Sequence, residues 1–300
     1  MHKWLTAYRQ RWLAPVPTNA PCMVCGTSYA RMLKHRIAPD FAPDIYPADI
    51  LKTLMHKNTG ICACCGIVQS YNRPSAAQLH VVNAIGKDET TSDATYHETD
   101  NQAEHIEKFR RHHVEQRLLQ WEKYFASRTV APKRVLFIRH LFGDTIEFIK
   151  RRYNPEIAGI DMSQVCINHV KFHMPDVKML SGEINGHLIG DFLHTEPYDA
   201  IFSWHILNHS CDVRSMLPQI DALLAPGGFW VMTDESAPKL HNPFHHFHPG
   251  ERQLKMVLGE YFDGFDIIPN CKGKTEAFIA VANPRHDEAD YVVWKRAAVK

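Results

Sequence analysis

The sequence predicts an α/β protein in which a small cysteine-rich module precedes an open, mostly parallel sheet. Three observations predict it. Residues 134–163, RVLFIRHLFGDTIEFIKRRYNPEIAGIDMS, read as strand, glycine-containing turn, helix and strand. Further short apolar runs alternate with helical segments as far as residue 283. Two Cys-x-x-Cys-Gly knuckles, Cys22-Met-Val-Cys25-Gly26 and Cys62-Ala-Cys-Cys65-Gly66, stand ahead of that alternation.

In chain order, residues 2–13 can form a short helix whose ragged apolar face holds Trp4, Leu5, Tyr8, Trp12 and Leu13. Pro15, Pro17 and Pro21 then break the chain. The two knuckles define a module over residues 21–75. Together they supply four thiolates for a tetrahedral zinc, and each glycine lets backbone amides turn toward the sulfurs. The gap of about 36 residues between the pairs exceeds the usual spacing of about 15–20. Pro39, Pro43 and Pro47 mark a loop insertion that accounts for it. Cys64 is spare, because Cys62 and Cys65 keep the two-residue spacing. A buried cysteine core and a redox dithiol are the rival readings.

Residues 76–130 read as a polar linker, GKDETTSDAT at 86–95, followed by a long helix with Ile106, Phe109, Val114, Leu118, Trp121 and Phe125 on its apolar face. The run Val135 to Ile138 is continuously apolar, as suits a strand buried on both sides. Gly143 allows a turn, and Asp144 with Glu147 offers a capping box for the next helix. A second strand, residues 157–160, stops at Asp161. A helix over 163–172 and a strand over 177–180 follow. Residues 198–203 form a fourth strand, and a loop with His205, Asn208 and His209 leaves it. A helix over 217–224 ends in Ala225-Pro226-Gly227-Gly228 before a fifth strand, 229–233. A helix over 254–261 and an antiparallel pair, 265–268 with 277–281, close the domain at residue 283. Residues 284–300 are a tail.

Bulk composition bounds the function. A net charge of +1 argues against a general nucleic-acid or anionic-membrane binder, which needs a basic face. The first residues are too charged for a secretory signal, and no apolar run approaches the roughly 18 residues of a membrane span. The expectation is a cytoplasmic, soluble protein with no membrane partner. Five of the 8 cysteines precede Gly66, and in a reducing compartment that clustering favours metal over disulfides. No G-x-G-x-x-G is present, which speaks against a dinucleotide-dependent dehydrogenase.

The segments VLFIRHLFG, AGIDMS, LSGE, YDAIFSWHILNHSCD and LLAPGGFWVMTDE, in this order, resemble a class I S-adenosylmethionine-dependent methyltransferase over roughly residues 131–283. The resemblance implies a Rossmann-like, seven-stranded mixed sheet between helices, S-adenosylmethionine as cofactor and a small-molecule methyl acceptor. The knuckles CMVCG and CACCGIVQS before such a domain are similar to those of methyltransferases carrying a zinc ribbon, some of which act on nucleotide-linked deoxysugars. HNPFHHFHPGERQL resembles the histidine-rich segment those sugar C-methyltransferases use near the acceptor. Zinc would then be structural, held by Cys22, Cys25, Cys62 and Cys65.

Residue by residue, the resemblance implies that Asp161 bonds the cofactor's ribose hydroxyls, that Glu183 sits by the adenine edge and that Gly143 permits close approach. Asp161 as a helix cap, Glu183 as a surface carboxylate and Gly143 as a plain turn glycine are the alternatives. His205 and His209 follow the fourth strand, at the sheet end where ligands bind in this architecture. One of them, or His245 from the histidine-rich loop, can serve as a base for the acceptor; a capping or core histidine is the rival reading. His245 and His248 also invite a second metal if their segment is helical. Tyr96 is a further candidate for the acceptor side.

One departure matters. Where the family's first loop carries an acidic residue and two further glycines, this chain has Phe137, Arg139 and Leu141. Two outcomes follow. In one, Arg139 pairs with the cofactor's carboxylate. In the other, Arg139 and Leu141 fill the pocket, and the chain is a catalytically silent scaffold for a protein partner.

Overall fold

The structure is a computed structural model. It describes residues 15–33, 58–73, 131–140, 143–161, 164–182, 196–234, 245–269 and 278–284, together with Ser75 and Gln78. The expected N-terminal helix, most of the linker and the long helix before residue 131, the tail beyond residue 284, Tyr96, Leu141, Glu183 and His241 lie outside them.

Two sheets form. The larger is built from β5 (Arg134–Ile138), β6 (Glu156–Asp161), β7 (Lys178–Ser181), β8 (Tyr198–Trp204), β9 (Leu224–Asp234), β11 (Phe262–Pro269) and β12 (Phe278–Pro284). Its order is β11-β12-β9-β8-β5-β6-β7. β7, β6, β5, β8 and β9 run parallel, whereas β12 is antiparallel to both β9 and β11. The order reverses at β5, which pairs with β6 on one side and β8 on the other. A reversal of this kind opens a crevice beyond the strands' C-terminal ends, where ligands of such sheets bind.

Alternate residues of β5 feed two apolar layers, which is why its sequence is a continuous apolar run. Val135 and Phe137 face Ile146 and Ile149 of α1 (Asp144–Tyr153) and Ile167 and Val170 of α2 (Gln164–His173). Leu136 and Ile138 face the opposite layer, with Leu217 and Ile220 of α4 (Val213–Leu223) and Leu254 and Leu258 of α5 (Glu251–Leu258). Cys22, Met23, Val24, Cys62 and Ile67 belong to that same layer. The cysteine module therefore shares a core with the α/β sheet.

The expected capping box at Asp144 does not form. Gly143 is the N-cap, with φ 81°, and Asp144 is the first helical residue. Glu147 instead pairs with Arg151 at 2.5 Å along the helix. Inside α4, Pro218 lacks the N–H that would meet the Arg214 carbonyl. The Tyr261 hydroxyl donates to that carbonyl at 3.4 Å and partly replaces the missing bond.

The smaller sheet runs β1 (Val16–Pro17), β2 (Tyr29–Met32), β3 (Thr59–Cys62), β4 (Val68–Ser70), β10 (Phe247–His248), antiparallel throughout. β1 precedes the expected start of the module at residue 21. β10 comes from the histidine-rich segment of the α/β domain, with Phe247 opposite Gln69 and His248 opposite Val68. That segment looks like a loop in sequence because two residues between Pro243 and Pro249 are too few to show a period. Because Phe247–His248 is extended, His245 and His248 do not share a helical face. No helix among the described residues is long and apolar enough to cross a membrane.

Candidate functional site

The site is built where β5, β6, β8 and β9 end. β5 and β8 are in register, Ile138 opposite Ser203, and the chain leaves each through a left-handed residue soon after. Arg139 has φ 56° and His205 has φ 50°. Non-glycine residues held there cost about 1–2 kcal/mol, so the surroundings must hold them. They do. The Arg139 N–H donates to the Ile160 carbonyl at 2.8 Å, and the His205 N–H donates to the Thr233 carbonyl at 2.7 Å. The half-buried Arg139 side chain crosses the strand ends, where its Nη1 donates to the His205 carbonyl at 2.9 Å. Arg139 thus ties the end of β6 through its backbone and the end of β8 through its side chain.

Asp161, the last residue of β6, is buried, and its Oδ2 lies 3.7 Å from Nε2 of the equally buried His140. Gly143 lies against α2. A Cβ there would meet Val170 Cγ2 at 2.6 Å and Met174 Cε at 3.1 Å. Its missing side chain makes room for α2.

α3 (Ile206–His209) starts directly after His205, whose ring stacks on Trp204 with centroids 5.6 Å apart. The short helix is held by Asp234 at the end of β9. Asp234 is fully buried, accepts the Leu207 N–H at 2.8 Å, and faces the Asn208 side-chain amide. The Asn208 carbonyl in turn accepts the His246 N–H at 2.6 Å. This brings the fourth-strand loop and the histidine-rich segment together. The rings of His209 and His245 meet edge to face at 4.7 Å, and His245 and His248 lie 6.1 Å apart. His245, His246 and His248 are all buried. Of the three histidines expected to act as bases, His209 and His245 are neighbours, while His205 sits at the start of α3 against Trp204.

Sequence reasoning missed Asp234, Asn208 and His140. Asp234 carried the same signal as Asp161, an acidic residue at the end of a buried apolar strand. Nothing local distinguished Asn208, whose partners come from β9 and β10.

The knuckles form a second centre. The sulfurs of Cys22, Cys25, Cys62 and Cys65 all lie within 4.8 Å of one another. Cys22 and Cys65 are 3.6 Å apart, and Cys25 and Cys62 are 3.5 Å apart. A tetrahedral ion with Zn–S bonds of about 2.3 Å sets its sulfurs about 3.8 Å apart, so the cage has the right size. The two halves are alike. Gly26, φ 74°, donates to the Cys22 carbonyl, and Gly66, φ 77°, donates to the Cys62 carbonyl. Amides also face the sulfurs, Val24 to Cys22 and Cys64 and Cys65 to Cys62, each at 3.4 Å. The hydrogen bond with Cys65 holds the Cys22 thiol well below the usual thiol range. The same bond, with burial, pushes Cys65 up. Cys64 is exposed and lies outside the group of four.

No protein-family model matches the chain, and no curated protein matches it in sequence. Many solved structures share its fold. The Haloferax volcanii complex of the Trm112 methyltransferase activator with a candidate methyltransferase matches at 11% identity, covering 60% of this chain and 93% of that one, with a TM-score of 0.50. PH0226 of Pyrococcus horikoshii OT3 matches at 14% identity over 58% of this chain and 92% of its own, with a TM-score of 0.46. The N-methyltransferase NodS of Bradyrhizobium japonicum matches at 15% identity over 52% and 88%, with a TM-score of 0.39. At these identities the likeness concerns the fold: an α/β domain with a largely parallel sheet, as in methyltransferases.

Proposed function

We propose that this chain transfers the methyl group of S-adenosylmethionine to a small-molecule acceptor, with a nucleotide-linked sugar as the acceptor class. The observation that carries the reading is Asp161. It is a buried carboxylate at the C-terminal end of β6, beside the point where the strand order reverses. In an open α/β sheet that position suits the ribose hydroxyls of a nucleoside cofactor.

The other residues take roles consistent with it. Arg139 has no carboxylate partner among the described residues. A guanidinium with donors to spare at the strand ends suits the carboxylate of the cofactor's methionine part. Gly143 keeps α2 close and so shapes the turn beneath the cofactor, and Glu183 takes the adenine side. His209 and His245, whose rings are in contact, are the bases for the acceptor, and His205 is a third candidate. Alignment of donor and acceptor supplies most of the rate, since positioning is what such a site offers. The four-cysteine cage holds zinc in a closed, structural site.

Asp161→Asn tests the reading. It keeps the shape and removes the charge, and the loss of two charge-assisted bonds to ribose should weaken S-adenosylmethionine binding by about 1.5–3 kcal/mol, or roughly tenfold to a hundredfold. Thermal-shift titration of both proteins reads this directly. Equal stabilisation of the two by the cofactor would remove Asp161 from the site.

A further inference from the structure

We propose that Gln69 is a positioning residue, through which the cysteine knuckles set the place of the histidine strand at the mouth of the site. The inference rests on the reading of that mouth as the acceptor side, but its test does not use activity.

Gln69 is fully buried in β4. Its side chain grips the first knuckle: Oε1 accepts the Met23 N–H at 2.9 Å, and Nε2 donates to the Pro21 carbonyl at 3.4 Å. Its backbone lies opposite Phe247 in β10. The next residue, Ser70, donates its N–H to the His246 carbonyl at 2.8 Å. His246 passes the connection on by donating to the Asn208 carbonyl at 2.6 Å, and Asp234 fixes Asn208 and Leu207 from beneath. An unbroken series of hydrogen bonds therefore runs from the Cys22 knuckle to the end of β9.

The histidine strand needs this support. It contributes only Phe247 and His248 to the sheet, and so short a strand has little stability without its neighbour. The docking of the module does not depend on Gln69, because Gln253 Nε2 donates to the Cys65 carbonyl at 2.8 Å and Arg214 Nη1 donates to the Val24 carbonyl. The module thus has one set of contacts for attachment and another for alignment. A metal that orders the knuckles would order His245 and His246 as well.

Amide hydrogen exchange resolved by residue, on the full chain, decides it. Zinc-loaded protein is compared with protein stripped by a strong chelator, and with Gln69→Met, which matches the side chain in size but makes no such bonds. In both cases the His246 and Leu207 amides should exchange at least about tenfold faster; in Gln69→Met, where the zinc stays, those of Val135 to Ile138 should keep their protection. Gln69→Met should still hold its zinc. Protection of His246 and Leu207 that survives either treatment overturns the inference. A Gln69→Met chain that fails to hold zinc is judged on the chelation result alone. Metal analysis of the untreated chain separates the failures: no bound zinc ends the metal reading and leaves Gln69→Met to judge the coupling.

Discussion

Cys22→Ser should strip the chain of its metal and lower the stability of the whole molecule, not of an N-terminal appendage alone. The four sulfurs form a cage within 4.8 Å, so a tetrahedral ion loses a ligand and its closed shell together. Structural zinc sites in small domains contribute on the order of 10 kcal/mol, and most of that should vanish. The reach of the effect follows from the packing. Cys22, Met23 and Val24 lie in the same apolar layer as Leu217, Leu254 and Leu258, and β10 is shared between the domains. Calorimetry should therefore show one transition shifted downward. Metal analysis should fall from about one zinc per chain to well below it. Complete, unchanged folding of the unaltered chain in a strong chelator would contradict the metal assignment.

Gly143→Ala carries the second large effect. Its φ of 81° places any side chain in the left-handed region, at a cost of about 1–2 kcal/mol. The new Cβ would also come within 2.6 Å of Val170 Cγ2, closer than real Cβ contacts allow. Val170 is fully buried, so its side chain or α2 must shift, and such overpacking costs about 1–3 kcal/mol more. A loss of about 2–5 kcal/mol in denaturant unfolding is expected. A loss below about 0.5 kcal/mol would mean that the turn and α2 do not meet as described.

The fold was legible because its signals are local. Val135 to Ile138 announce a doubly buried strand, and the five parallel strands were found in order from runs of that kind. What escaped was long-range. Phe247–His248 is a strand only because Val68 and Gln69 lie across from it, nearly 180 residues earlier (247 − 69 = 178). The knuckle residues were readable from spacing, yet their burial against α5 was not. At the site, Asp161 was visible as an acidic stop after an apolar strand, whereas Asp234, with the same signature, was passed over. Gly143 was legible as a turn. That its bare face points at Val170 depends on where α2 lies, and no local pattern carries that. The Asp144 capping box failed because Gly143, already left-handed, takes the N-cap place itself.

Arg139 decides between a working and a closed pocket, since its guanidinium crosses the strand ends to the His205 carbonyl. The most direct measurement is isothermal calorimetry with S-adenosylmethionine, up to about 1 mM, on the unaltered chain and on Arg139→Gly. Glycine accepts the φ of 56°, so the variant keeps the turn. The account predicts saturable binding by the unaltered chain and binding at least about tenfold weaker in the variant. No heat from the unaltered chain, with binding gained in Arg139→Gly, would show instead that the cation fills the place of the cofactor.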